Sequence, residues 1–81
     1  MLFSTDKLIK YRGFNIIQRD ESSGYKKRFG YYVDFDHNCE GEEYNRRYNE
    51  LLKLENMPWF SNRYRTLKTI KNDIDRYYNE I

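Results

Sequence analysis

The chain has 81 residues, 38% apolar and 35% charged, with a net charge of +2 and a sequence pI of about 8.7. That length allows one domain with one small core. A pI short of about 9 lies below the usual footprint of a dedicated nucleic-acid binder, and no run approaches the roughly 20 apolar residues of a membrane span. Nine Tyr and five Phe make large rings the main burying groups, with tyrosine hydroxyls free to stay wet. The single cysteine, Cys39, excludes an intrachain disulfide and fits a reducing compartment. Met1-Leu2-Phe3 gives way at once to Ser4-Thr5-Asp6-Lys7, without the length or flanks of a signal peptide, so a cytoplasmic location is expected.

Residues 1–6 read as a short tail or a single turn. From Lys7 to Arg19 the pattern is that of a strand: Ile9 and Tyr11 alternate with Lys10 and Arg12, Gly13 interrupts, and Phe14 and Ile16 resume one residue out of phase, as at a bulge. Asp20-Glu21-Ser22-Ser23-Gly24 is the chemistry of a longer hairpin loop. Strict alternation follows over 25–35, with Tyr25, Lys27, Phe29, Tyr31, Val33 and Phe35 on one face, which predicts a second strand with that face buried. The other face of the hairpin then carries Lys10, Arg12, Lys26, Arg28 and Tyr32.

A helix is expected over about 42–55, from the spacing of Tyr44, Tyr48, Leu51, Leu52 and Glu55. Glu42 and Glu43 in its first turn complement the dipole, and Pro58 stops it. Trp59 to Arg65 alternates and reads as a short third strand. Thr66 serves as N-cap of a closing helix, about 66–80, in which Leu67, Ile70, Ile74, Tyr77, Tyr78 and Ile81 share a stripe. The expected fold is a single α+β domain spanning 1–81, with the C-terminal helix packed on the sheet.

Candidate chemistry is sparse. Asp34, Asp36 and Asn38 place oxygens at alternate positions, as in a calcium loop, but the sixth and twelfth loop positions hold Cys39 and Asn45 where Gly and Glu are needed. His37 and Cys39 are too few for a zinc site without carboxylates such as Asp36 and Glu40, and no third group orients them as a nucleophile pair. The four glycines, at 13, 24, 30 and 41, form no phosphate loop. No enzyme activity, cofactor or metal is expected.

Charge is unevenly spread. Residues 1–33 carry seven Lys/Arg against three Asp/Glu, 34–56 three against seven, and 57–81 five against three. An acidic segment with Asp34, Asp36, Glu40, Glu42 and Glu43 thus interrupts a basic chain. Beside it, Tyr44, Arg46, Arg47 and Tyr48 are of the residue types that anchor protein interfaces. The basic and aromatic residues Lys10, Arg12, Lys26, Arg28, Arg63 and Arg65 would suit nucleic acid.

The run Tyr64-Arg65-Thr66-Leu67-Lys68-Thr69-Ile70-Lys71-Asn72-Asp73-Ile74-Asp75 resembles the strand-to-helix ending of small phage and mobile-element proteins. With the hairpin, residues 7–35 and 59–78 are similar to the three-strands-and-a-helix module of phage integrase arm-binding domains, from which residues 36–58 depart as an inserted acidic loop and helix. In size and style the chain also resembles anti-CRISPR inhibitors. The resemblance implies a non-catalytic protein that blocks a nucleic-acid-handling host protein, its acidic residues occupying a groove built for phosphates. Direct DNA or RNA binding by the basic residues is the alternative.

Overall fold

The computed structural model describes residues 6–81, so the tail expected over 1–6 lies almost wholly outside the described residues. Three antiparallel strands, β1 (Lys7–Tyr11), β2 (Phe14–Asp20) and β3 (Phe29–Phe35), form one sheet in the order β1-β2-β3. Two helices follow, α1 (Glu42–Glu55) and α2 (Leu67–Glu80), giving the expected α+β architecture. Among the described residues no helix is long and apolar enough to cross a membrane.

The slip at Gly13 is a chain reversal, where the sequence pattern suggested a bulge. Tyr11 pairs with Phe14, leaving Arg12 and Gly13 as a two-residue turn with φ of 49° and 87°. Positive φ at both positions is the type I′ arrangement, whose twist matches that of the flanking strands. Arginine is an unusual occupant of the left-handed region, and contacts to α2 hold it there. Its guanidinium donates to Asp75 at 2.8 Å and lies 4.5 Å from the centre of the Tyr78 ring, while its carbonyl accepts from the Tyr78 hydroxyl. The Tyr11 hydroxyl also donates to Asp75, at 2.8 Å.

The reversal puts Ile9 opposite Ile16, and Ile16 opposite Val33, with Phe14 between Tyr11 and Phe35. Since alternate residues share a face, these form one apolar surface, and both helices lie against it. Phe14, Ile16 and Phe35 are buried with Leu51 and Leu54 of α1 and Ile70, Ile74 and Tyr77 of α2. Phe14 and Tyr77 meet edge to face, with centroids 6.1 Å apart, and Tyr44 and Tyr48 meet Phe35 in the same way at 5.0 and 5.7 Å. The stripe expected on α1 is therefore rotated. Leu51 and Leu54 are buried, while Tyr44, Tyr48 and Leu52 lie at its exposed margin.

Two further boundaries differ from the sequence pattern. The second predicted strand begins at Phe29 instead of Tyr25, because residues 23–26 close a tight turn of their own, with Ser23 and Lys26 exchanging both backbone hydrogen bonds at 3.1 Å. Gly24, at φ 60°, takes the first central position. The third strand expected over 59–65 is reduced to one bridge, Tyr64 opposite Tyr31, with N–H···O distances of 2.8 and 2.9 Å. Turns after α1 use the chain up to Phe60, whose N–H reaches the Met57 carbonyl, and Thr66 caps α2 by accepting from the Thr69 N–H. Too little chain remains between them to extend a ladder.

Tyr64 is nonetheless a rivet. Its side chain is buried, accepts from the Ser61 N–H at 3.0 Å and donates to Asp73. Burial first, then the Asp73 hydrogen bond, raises its pKa from the usual 10.0 to about 12.

Two outcomes follow for stability. Ile74→Ala, at a fully buried position, should cost about 2–5 kcal/mol in urea unfolding. Because the Tyr64 pKa is raised on folding, its contribution is complete below pH 10.0 and is lost as pH rises toward about 12. In alkaline titrations followed by circular dichroism, Tyr64→Phe should therefore show a shallower loss of stability across that interval than the parent.

Candidate nucleic-acid interface

β3 is an edge strand, and the Tyr31–Tyr64 bridge lays residues 63–65 along its outer side. Between that segment and the start of β3 runs an open groove of about 290 Å³, lined by Lys27, Arg28 and Phe29 on one wall and Arg63 and Arg65 on the other. Phe29 shares the parity of the buried Phe35, yet it is 39% exposed because it lies at the far end of the strand. The sequence pattern placed Phe29 in the core and did not single out Lys27 as a site residue. The presence of two Lys/Arg neighbours at Lys27 and Arg28 immediately before the ring was the signal available for both.

One wall is fixed by Glu21. Its carboxylate accepts from the Arg63 guanidinium, at 2.7 Å from Nε, and from the Tyr32 hydroxyl, while its backbone N–H bonds the Arg28 carbonyl at 2.9 Å. Glu21 thus joins the β2–β3 loop, β3 and the 63–65 segment. The Arg63 hydrogen bond first, then that from Tyr32, lowers the Glu21 pKa from the usual 4.5. Gly30 makes room for this arrangement. A β-carbon there would stand 2.5 Å from a Glu21 carboxylate oxygen.

Arg63 is thereby neutralised, but Lys26, Lys27, Arg28 and Arg65 lie within ion-pair distance of no carboxylate among the described residues. Arg65 stands two residues before α2, whose first turn contains no acidic residue to offset the positive end of the helix dipole. Of the six basic residues singled out in the sequence, Arg28, Arg63 and Arg65 converge here. Lys26 is at the adjoining turn. Lys10 and Arg12 belong to the opposite end of the sheet, a seven-residue strand or about 20 Å away, and Arg12 is engaged with Asp75.

The acidic residues do come together with their neighbouring anchors, but much of their charge is answered within the chain. Asp34 accepts from the Phe35 N–H at 2.8 Å and contacts His37 Nε2 at 3.1 Å. Asp36 accepts from the Asn38 N–H and lies 3.2 Å from Arg47 and 3.9 Å from Lys10. These partners, the Asn38 hydrogen bond foremost, lower its pKa. Glu43 binds Arg46 at 3.1 Å and Arg47 at 2.9 Å. Of the five carboxylates Asp36 and Glu43 are paired with Lys or Arg, Asp34 contacts His37, and Glu40 and Glu42 have no ion-pair partner among the described residues. Among the described residues no three His, Cys, Asp or Glu side chains converge as metal ligands do, and the Cys39 thiol donates to the Asp36 carbonyl.

The arrangement around Glu21 makes a checkable forecast. An ionised Glu21 contributes stability that is complete above pH 4.5 and is lost as pH falls through its lowered pKa. Gly30→Ala, which must displace that carboxylate, and Glu21→Gln should both lower the melting temperature at neutral pH and reduce its dependence on pH in the acid range; a Gly30→Ala protein with the parent's acid profile would contradict the arrangement.

Compared with protein-family models, curated proteins and solved structures, the chain matches none.

Proposed function

We propose that the protein binds nucleic acid through the groove between Phe29 and Arg65. The observation that carries this reading is the clustering of Lys27, Arg28 and Arg65 around one concavity, none of them within ion-pair distance of a carboxylate among the described residues; Glu21 answers Arg63, and Asp20 acts on Lys27 only from farther off. Like charges brought together repel, and unpaired guanidinium groups beside a concavity match phosphate oxygens in geometry as well as sign. A phosphate backbone supplies the missing counter-charge, and its neutralisation releases condensed counterions. The modest pI does not argue against this, because Asp34, Asp36 and Glu43 are engaged at the other end of the sheet with Lys10, His37, Arg46 and Arg47, and Glu21 is engaged with Arg63.

A second reading is a non-catalytic inhibitor that occludes a nucleic-acid-handling protein. It is favoured by the partial exposure of Tyr44 and Tyr48, 38% and 45%, on a helix that opens with the unpaired Glu42. The self-pairing of Asp34, Asp36 and Glu43 leaves less free charge for that role than the basic groove keeps for its own.

Fluorescence anisotropy with labelled oligonucleotides over a salt series separates the two. Direct binding predicts a linear fall of log affinity with log salt, and a slope shallower by about one for each arginine removed in Arg28→Ala and Arg65→Ala. Arg46→Ala, already paired with Glu43, should leave the slope unchanged. Flat, millimolar binding at low salt would leave the protein-partner reading in possession.

A further inference from the structure

We infer that the groove takes a single-stranded nucleic acid, one base lying against the Phe29 ring with the flanking phosphates on Lys27, Arg28 and Arg65; this rests on the reading just given. Phe29 lies on the face of β3 whose other aromatic end, Phe35, is 3% exposed, yet it remains 39% exposed among cations. The part of the ring left open stands among cations, where water reaches it. Four residues earlier, Tyr25 is fully exposed at 107% of its reference area, held out between Gly24 and Lys26 on a turn closed by backbone hydrogen bonds. A turn needs no aromatic residue at that position, where small polar residues are favoured.

Phosphate contacts alone would be served by the cations and would not distinguish one strand from two. Rings are different. In a duplex each base face is covered by its neighbours, so Phe29 and Tyr25 would meet only sugar and phosphate; an unpaired strand offers base faces for aromatic side chains to stack on. Interleaving of exposed rings with unpaired cations, Tyr25, Lys26, Lys27, Arg28 and Phe29 in sequence and Arg65 across the groove, is the arrangement that uses both parts of such a strand. Glu21 contributes by holding Arg63, and with it the opposite wall, at a fixed distance from the ring.

The test compares labelled oligothymidine, the corresponding duplex with oligoadenine, and an abasic oligomer of the same length, all at one low salt concentration. Single-stranded oligothymidine should bind tightest. Phe29→Leu, which keeps apolar bulk but removes the aromatic face, should weaken it roughly 5- to 100-fold while leaving duplex and abasic binding unchanged, and Phe29→Tyr should retain the parent's affinity. Tyr25→Ala, at a side chain outside the core, should also weaken the single strand selectively and keeps the test open if Phe29→Leu fails to fold. Duplex bound as tightly as the single strand, or oligothymidine affinity indifferent to both ring substitutions, would overturn the inference while the basic groove still stood as a phosphate site. No binding to any of the three polymers would overturn the functional reading as well.

Discussion

Phe14, Ile16 and Phe35 leave water by being covered on one side of a three-stranded sheet, and this requirement organises the molecule. The opposite side carries Lys10, Asn15, Arg19, Tyr32 and Asp34 with only Leu8 and Ile17 as aliphatic side chains, so both helices are drawn to the more apolar face. α1 approaches the Phe35 end through Tyr44 and Tyr48, and α2 covers Phe14 through Tyr77 and Tyr78. A sheet this small has no second apolar layer to fall back on, and each buried aliphatic or aromatic side chain contributes about 1.5–3 kcal/mol. The helices consequently gather at the Phe35 end. Phe29, six residues along the same strand, is left at the margin of their cover.

The polar contacts decide how the covered sheet is held in register with what surrounds it. Asp75 gathers Tyr11 and Arg12 onto α2, and Glu21 gathers Tyr32 and Arg63 at the other end. Both carboxyl groups are held below their ordinary pKa by these hydrogen bonds, with Arg12 the leading cause for Asp75 and Arg63 for Glu21. Exposed pairs of this kind contribute little energy individually. Their consequence here is positional: they fix a strained turn against α2 and a groove wall against β3.

Charge is sorted by the same geometry. The acidic segment lies beside Lys10, Arg46 and Arg47, which answer Asp36 and Glu43 there, whereas the cations at 26–28 and at Arg65 lie toward the other end of the sheet. At physiological salt the screening length is about 8 Å, less than the length of β2, so the two ends act as independent electrostatic surfaces. A chain of net charge +2 can in this way present an acidic surface at one end and, at the other, a surface on which Lys26, Lys27, Arg28, Arg63 and Arg65 outnumber Asp20 and Glu21.

Local pattern alone was enough for the α+β class, the bounds of α1 and α2, the Thr66 cap and the burial of Phe35, Ile70, Ile74 and Tyr77, because period and capping are properties of neighbouring residues. The Arg12-Gly13 reversal was not legible, since Arg is held at φ 49° by Asp75 and Tyr78, more than sixty positions away, and no local rule favours it there. Nor was the fate of Trp59 to Arg65: alternation marked a strand, but the space left between the turns after α1 and the start of α2 allows one bridge at Tyr64. The basic residues were visible one by one in the sequence. Which of them meet in a groove, which are neutralised, and that Phe29 stands among them partly uncovered, was decided by where the helices stop along the sheet, a distance that only the folded chain defines.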